Sequence, residues 1–215
     1  MATGLIDAKA YVYRCSHDPG GIHTGLPPAL VPRKSPEFTI YEPSGKTTML
    51  SSFKGKVVVI EFLFIKSAHC LRVAKTMNKL NQELGPRGFQ PVAIAFPAPG
   101  SDANGPLVTY MVDYFKLTYP VGYTNSEDVD KYLGRGKDDV LNIPQIVVID
   151  RAGVIRAQSG GRPGNPKLEN EDFLRTLVES LLSENRPPAN RPTRAAPPAT
   201  KKSTMTAPVL KFLAL

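Results

Sequence analysis

Eight consecutive residues, Val57-Val58-Val59-Ile60-Glu61-Phe62-Leu63-Phe64, constrain this chain more than any other stretch. A strand with one wet face alternates apolar and polar residues, whereas this run is β-branched and aromatic almost throughout. It therefore predicts a central strand buried on both faces, entered through the turn Lys54-Gly55-Lys56.

The flanking segments supply the layers that would cover it. Over residues 67–84 apolar side chains recur at Val73, Met77, Leu80 and Leu84, one helical stripe, and Gly85-Pro86 ends the helix. A second strand fits 89–96. A second helix fits about 106–117, where Val108, Met111, Val112 and Phe115 share a face and Pro106 suits the first turn. Ahead of the central run, 38–41 and 47–50 flank Glu42-Pro43-Ser44-Gly45-Lys46 and read as a hairpin. Behind it come a short helix from Ser126 to Gly134, the apolar run 145–149, the turn Asp150-Arg151-Ala152-Gly153 and a strand over 154–157. The last helix covers about 171–183, capped by Asn170, with Phe173, Leu174, Leu177, Val178, Leu181 and Leu182 on its buried side. The class is α/β: a central mixed sheet flanked by helices, opened by a hairpin.

A chain of 215 residues suits one such core with appended segments. Prolines and glycines mark residues 1–35 as an extended arm, 36–184 as the folded domain and 185–215 as a flexible basic Pro/Ala-rich tail. The formal charge is +8, but Arg186, Arg191, Arg194, Lys201, Lys202 and Lys211 lie in a tail without acids. The excess is thus local, and it argues against a specific nucleic-acid surface; weak contact of the tail with acidic lipid or nucleic acid stays open. The apolar end, 208–215, is either a sticky terminus or a docking peptide, too short to cross a bilayer. No apolar run approaches the roughly 20 residues of a membrane span. Residues 1–15 lack the basic-then-apolar pattern of a secretion signal. As written the chain reads as soluble and cytoplasmic, with an exported location open if a signal was removed. Oligomeric state leaves no mark.

Two cysteines, Cys15 and Cys70, exclude a disulfide framework. Cys15 lies near His17, Asp18 and His23, yet the spacing matches no metal-ligand pattern, so no metal site is expected. It reads as a free thiol, with a bridge to Cys70 as the alternative.

Phe38-Thr39-Ile40, Gly45-Lys46-Thr47 and Leu50-Ser51-Ser52-Phe53-Lys54-Gly55-Lys56-Val57, in a βαβα order that closes ββα, resemble the thioredoxin-like redoxins, especially the TlpA/ResA-type and AhpC/TSA-type members. Asn142-Ile143-Pro144-Gln145 and the residues up to Arg156 resemble that family's proline loop and terminal hairpin. Together they span about 36–183. The resemblance implies a thioredoxin-like fold and ancestry in thiol-disulfide or peroxide chemistry. It implies a thiol or disulfide protein, or a peroxide, as substrate, an external thiol as reductant, and no cofactor.

The family's active turn carries an aromatic residue before Cys-x-x-Cys; this chain has Lys66-Ser67-Ala68-His69-Cys70. Serine forms no disulfide, so dithiol turnover through this turn is excluded. If Ser67 caps the helix through the Cys70 N–H, the thiol lies in the first turn, where the macrodipole and Lys66 favour a thiolate. By resemblance, Glu61 is the buried acid that relays the thiol's proton, although its charge raises the thiol's pKa; a lysine partner is the other reading. His69 either tunes thiol acidity or is a surface ring. Peroxiredoxins carry Thr or Ser three residues before their peroxide-attacking cysteine, which Ser67 also satisfies. Leu63 and Pro144, however, stand where that pattern has a proline and an arginine. The resemblance also implies a cis Pro144 facing the turn, with the Ile143 backbone offered to an extended peptide. Two functions follow. One is a one-cysteine oxidoreductase or antioxidant protein acting through Cys70 with Ser67, His69 and Glu61, its substrate held by Lys66, Ile143 and Pro144. The other is an inactive module binding a peptide or protein partner by Pro144, with Cys70 a small buried hydrophobe.

Overall fold

The computed structural model describes residues 33–98, 100–101, 103–135, 141–160 and 165–184, and the backbone of Tyr13–Arg14. The expectations for Cys15, His17, Asp18 and His23, and for the tail 185–215, fall outside the described residues.

In chain order the elements are β1 (Tyr13–Arg14), β2 (Arg33–Lys34), β3 (Thr39–Tyr41), β4 (Thr47–Met49), β5 (Val57–Leu63), α1 (Ala68–Leu84) and β6 (Phe89–Ala95). Then follow α2 (Gly105–Phe115), β7 (Val121–Tyr123), α3 (Ser126–Leu133), β8 (Leu141–Asn142), β9 (Gln145–Ile149), β10 (Val154–Gln158) and α4 (Glu171–Glu184). Eight strands form one mixed sheet in the order β2-β10-β9-β5-β6-β7-β3-β4, and β1 pairs separately with β8. Every residue of β5 is buried, as its unbroken apolar run requires. It runs parallel to β6 and antiparallel to β9, with Phe62 opposite Gln145 and Leu63 opposite Ala95.

Alternate residues of a strand point to opposite faces, so Glu61 and Phe62 look into different halves of the core. Phe62 packs edge-on against Phe38 at 5.7 Å and lies 5.4 Å from the Tyr132 ring of α3. α1 packs on β5 and β6, and α4 on β5 beside α1. The buried stripe of α1 is Cys70, Val73, Ala74, Met77, Leu80 and Leu84, which adds Cys70 and Ala74 to the predicted set. Asn170 caps α4: its side-chain oxygen accepts the Phe173 N–H at 3.0 Å. No helix among the described residues is long and apolar enough to cross a membrane.

Four strands were not legible. β1, β2 and β8 have two residues each, and β7 has three with a glycine at its centre, too few for a period to emerge. Gly122 has a packing reason: an added Cβ would lie 2.7 Å from Ile40 Cγ2 and 3.0 Å from the Tyr41 carbonyl oxygen of β3, its antiparallel neighbour.

Candidate functional site

β5 leaves the sheet at Leu63 and turns through Phe64, Ile65 and Lys66 into α1. The Ser67 N–H donates to the Phe64 carbonyl at 3.0 Å, which closes the turn. Ser67 Oγ accepts the Cys70 N–H at 3.3 Å, and the Leu71 N–H reaches the Ser67 carbonyl at 3.0 Å. Ser67 is thus the helix cap, with the extended backbone that such a residue adopts. Lys66 is exposed, Ser67 and His69 are half-buried, and Cys70 is closed off at 0 % exposure.

The proline loop lies at the same end of the sheet, because β9 is antiparallel to β5 and begins opposite Phe62. The Ile143–Pro144 bond is cis, and both side chains are buried. Gln145 turns its amide back to donate to the Asn142 carbonyl, and it fills the space where a Cβ on Gly160 would sit. The Ile146 N–H donates to Ser159 Oγ at 2.7 Å, which ties the loop's exit to the end of β10.

Glu61 is fully buried, and neither carboxylate oxygen has a hydrogen-bond partner. The expectation of a lysine partner is therefore corrected. Burial, and then the charge of Glu169, hold its carboxyl well above the ordinary carboxylate range, so it is the neutral acid that is stable there. The Cys70 thiol is pushed up to about 12, first by burial and then by Glu61, while the Ser67 hydroxyl and the Phe64 backbone pull weakly the other way. This reverses the expectation of a favoured thiolate. A helix start stabilises an anion by roughly 1 kcal/mol at best in most settings, and desolvation at this depth outweighs it. Lys66 extends into solvent, where its charge is screened.

His69 pairs with an acid from the far end of the domain sequence. Its Nε2 lies 2.7 Å from Glu169 Oε2, which ties the first turn of α1 to the one-turn helix Pro166–Glu169 that precedes α4. Glu169 and Gln145 are the residues that sequence reasoning missed. A polar residue opening an apolar strand was a signal for Gln145; nothing in the sequence points to Glu169. Among the described residues no group of three His, Cys, Asp or Glu is placed to hold a metal ion.

Cys70 and Glu61 are both fully buried, and the burial pushes both acids up. With a thiol near 12, about one molecule in 10⁵ carries a thiolate at pH 7. A second concavity, a shallow depression of about 490 Å³, lies off the ends of β6 and β7 between Tyr41 and Tyr123. Its polar groups satisfy one another: Asn125 accepts the Asp128 N–H at 2.9 Å, and Asp128 accepts the Thr124 hydroxyl at 2.6 Å.

Residues 31–172 match the family model described as Redoxin. The chain is 24% identical over 146 residues to the thiol-disulfide oxidoreductase ResA of Bacillus thuringiensis subsp. konkukian (strain 97-27), covering 68% of this chain and 78% of that protein. A thioredoxin-family thiol:disulfide interchange protein from Chlorobium tepidum TLS superposes with a TM-score of 0.58 at 22% identity, covering 71% of this chain and 98% of that one. A secreted disulfide oxidoreductase of Mycobacterium tuberculosis, homologous to DsbE of E. coli, superposes with a TM-score of 0.52 at 17% identity, covering 67% and 96%. At these identities the superpositions show that the fold is thioredoxin-like.

Proposed function

Because the chain belongs to the Redoxin family, a thioredoxin-like family that includes thiol-disulfide oxidoreductases, we propose that it uses the groove by Pro144 to hold an extended segment of a partner protein while Cys70 stays a neutral, resting thiol. The observation that carries the reading is Cys70 itself, with no exposed surface and its thiol pushed up to about 12. Ser67 stands where a first cysteine would initiate exchange, and its hydroxyl is spent on the helix cap. Ile143 and Pro144 then act as backbone and wall for the bound segment, with Lys66 at its rim. The test is a peptide selected by display against the wild type. It is expected to bind Cys70→Ala equally well and to lose at least tenfold on Asn142→Trp, which places bulk at the exposed residue before the loop. Binding that vanishes with the thiol overturns the reading.

A second reading is favoured by Glu61, since a buried carboxyl without a partner costs stability and such groups concentrate at reactive sites. In it the turn opens, Glu61 ionises and takes the Cys70 proton, and the thiolate attacks. Against a disulfide protein, one S–S bond forms as another breaks and the partner leaves as a thiolate. Against a peroxide, an S–O bond forms as O–O breaks, the leaving oxygen takes the proton from Glu61 and departs as water or an alcohol, and an external thiol reduces the resulting sulfenic acid. Leu63 and Pro144 in place of the peroxiredoxin proline and arginine weigh against the peroxide branch. Stoichiometric oxidant with glutathione, read by peptide mapping, tests it: a modified Cys70 supports exchange, and an unmodified one rejects it.

A further inference from the structure

We infer that Tyr13–Arg14 is a strap: a strand from the chain's own arm, seated on the backbone edge that leads into the proline loop, where it competes with the partner segment. The inference rests on the partner reading above. β8 is not part of the large sheet, and its strand partner is β1, in parallel register with Tyr13 opposite Leu141 and Arg14 opposite Asn142. The two residues that follow β8 are Ile143 and Pro144, so β1 occupies backbone edge immediately before the loop. An unpaired strand edge offers N–H and C=O groups to any extended chain, and adding a strand there is a common mode of peptide recognition. The family model begins at residue 31, so β1 comes from sequence ahead of the part of the chain that it matches.

Covalent attachment gives the strap its advantage. Residues 15–32 link β1 to β2, and a tether of such length holds its end at an effective concentration on the order of millimolar. A free segment must displace it, and its apparent affinity falls by the fraction of chains whose edge is open.

The experiment uses the full chain and the double variant Tyr13→Pro/Arg14→Pro. In a parallel ladder successive residues face opposite sides, so one of these two N–H groups faces β8 and the double change removes it whichever it is. Hydrogen exchange by NMR is expected to show the amides of residues 141–143 exchanging at least tenfold faster in the variant, with Val59 and Phe62 of β5 unchanged as proof of an intact core. A synthetic peptide of residues 9–18 carrying Cys15→Ser, added at millimolar concentration, is expected to restore protection in the variant and leave the wild type unchanged. The display-selected peptide is expected to bind the variant at least tenfold tighter than the wild type. Equal exchange in both chains overturns the strap, and the partner reading then stands or falls separately on whether the wild type binds the peptide. Faster exchange in the variant, with no peptide bound by either chain, supports the seated strand and rejects the partner reading alone.

Discussion

Replacing Glu61 by Gln removes a proton-binding group from the core while keeping its shape, and the effect on stability depends on pH in a calculable way. In the unfolded chain the carboxyl titrates near its ordinary value of 4.5; in the fold, burial and Glu169 raise it well above that. The native state therefore binds more protons than the unfolded one at any pH between the two values, so stability falls as pH rises. The contribution is fully present below 4.5, is lost steadily above it, and stops changing once the folded carboxyl ionises. The loss runs at no more than about 1.36 kcal/mol per pH unit between the two values. The neutral amide and the neutral acid carry similar burial penalties, so these two roughly cancel. Urea unfolding of wild type and Glu61→Gln at pH 5 and pH 7 is the assay, because differences between the two chains cancel every other titrating group. The variant is expected to gain on the wild type as pH rises, with the gap wider at pH 7 than at pH 5. A gap independent of pH means that Glu61 is ionised in the fold, and the description of the buried site is then wrong.

Ser67→Ala removes the acceptor of the Cys70 N–H and is expected to cost about 1 kcal/mol in urea unfolding, with roughly 0.5 to 2 as the ordinary range for such caps; no loss means the cap is immaterial. Gly122→Ala drives a methyl group against Ile40 and the Tyr41 carbonyl and is expected to lower stability by about 1–3 kcal/mol, seen as a fall in Tm. An unchanged Tm there contradicts the close approach of β3 to β7. Met77→Ala empties a fully buried position on α1 and is expected to cost about 2–5 kcal/mol in the same assay.

What could be read in advance follows from how far each signal reaches along the chain. β5, α1 and α4 announce themselves because their apolar patterns persist long enough to declare a period. β7 does not: three residues around Gly122 carry no period, and the reason for the glycine lies in β3, far away in sequence. At the site, the Ser67 cap was legible because it is a contact across three residues. The state of the thiol was not. Spacing places Cys70 in a first helical turn, where anions are favoured, but it carries no information about depth, and depth decides the protonation. His69 and Glu169 meet from opposite parts of the chain, so no local pattern marks them as a pair. Gln145 stands between these cases, a polar residue heading an apolar strand whose purpose becomes clear only when Asn142 and Gly160 surround it.

The most direct test of a silent thiol is the rate at which iodoacetamide alkylates Cys70 across pH 6 to 11 under native conditions, followed by peptide mapping so that Cys15 is counted separately. A thiol near 12 predicts a rate at pH 7 roughly three-thousandfold below that of an unperturbed cysteine, still rising at pH 11. A rate that levels off below about pH 8.5, the value of a free thiol, reveals an available thiolate and contradicts the account.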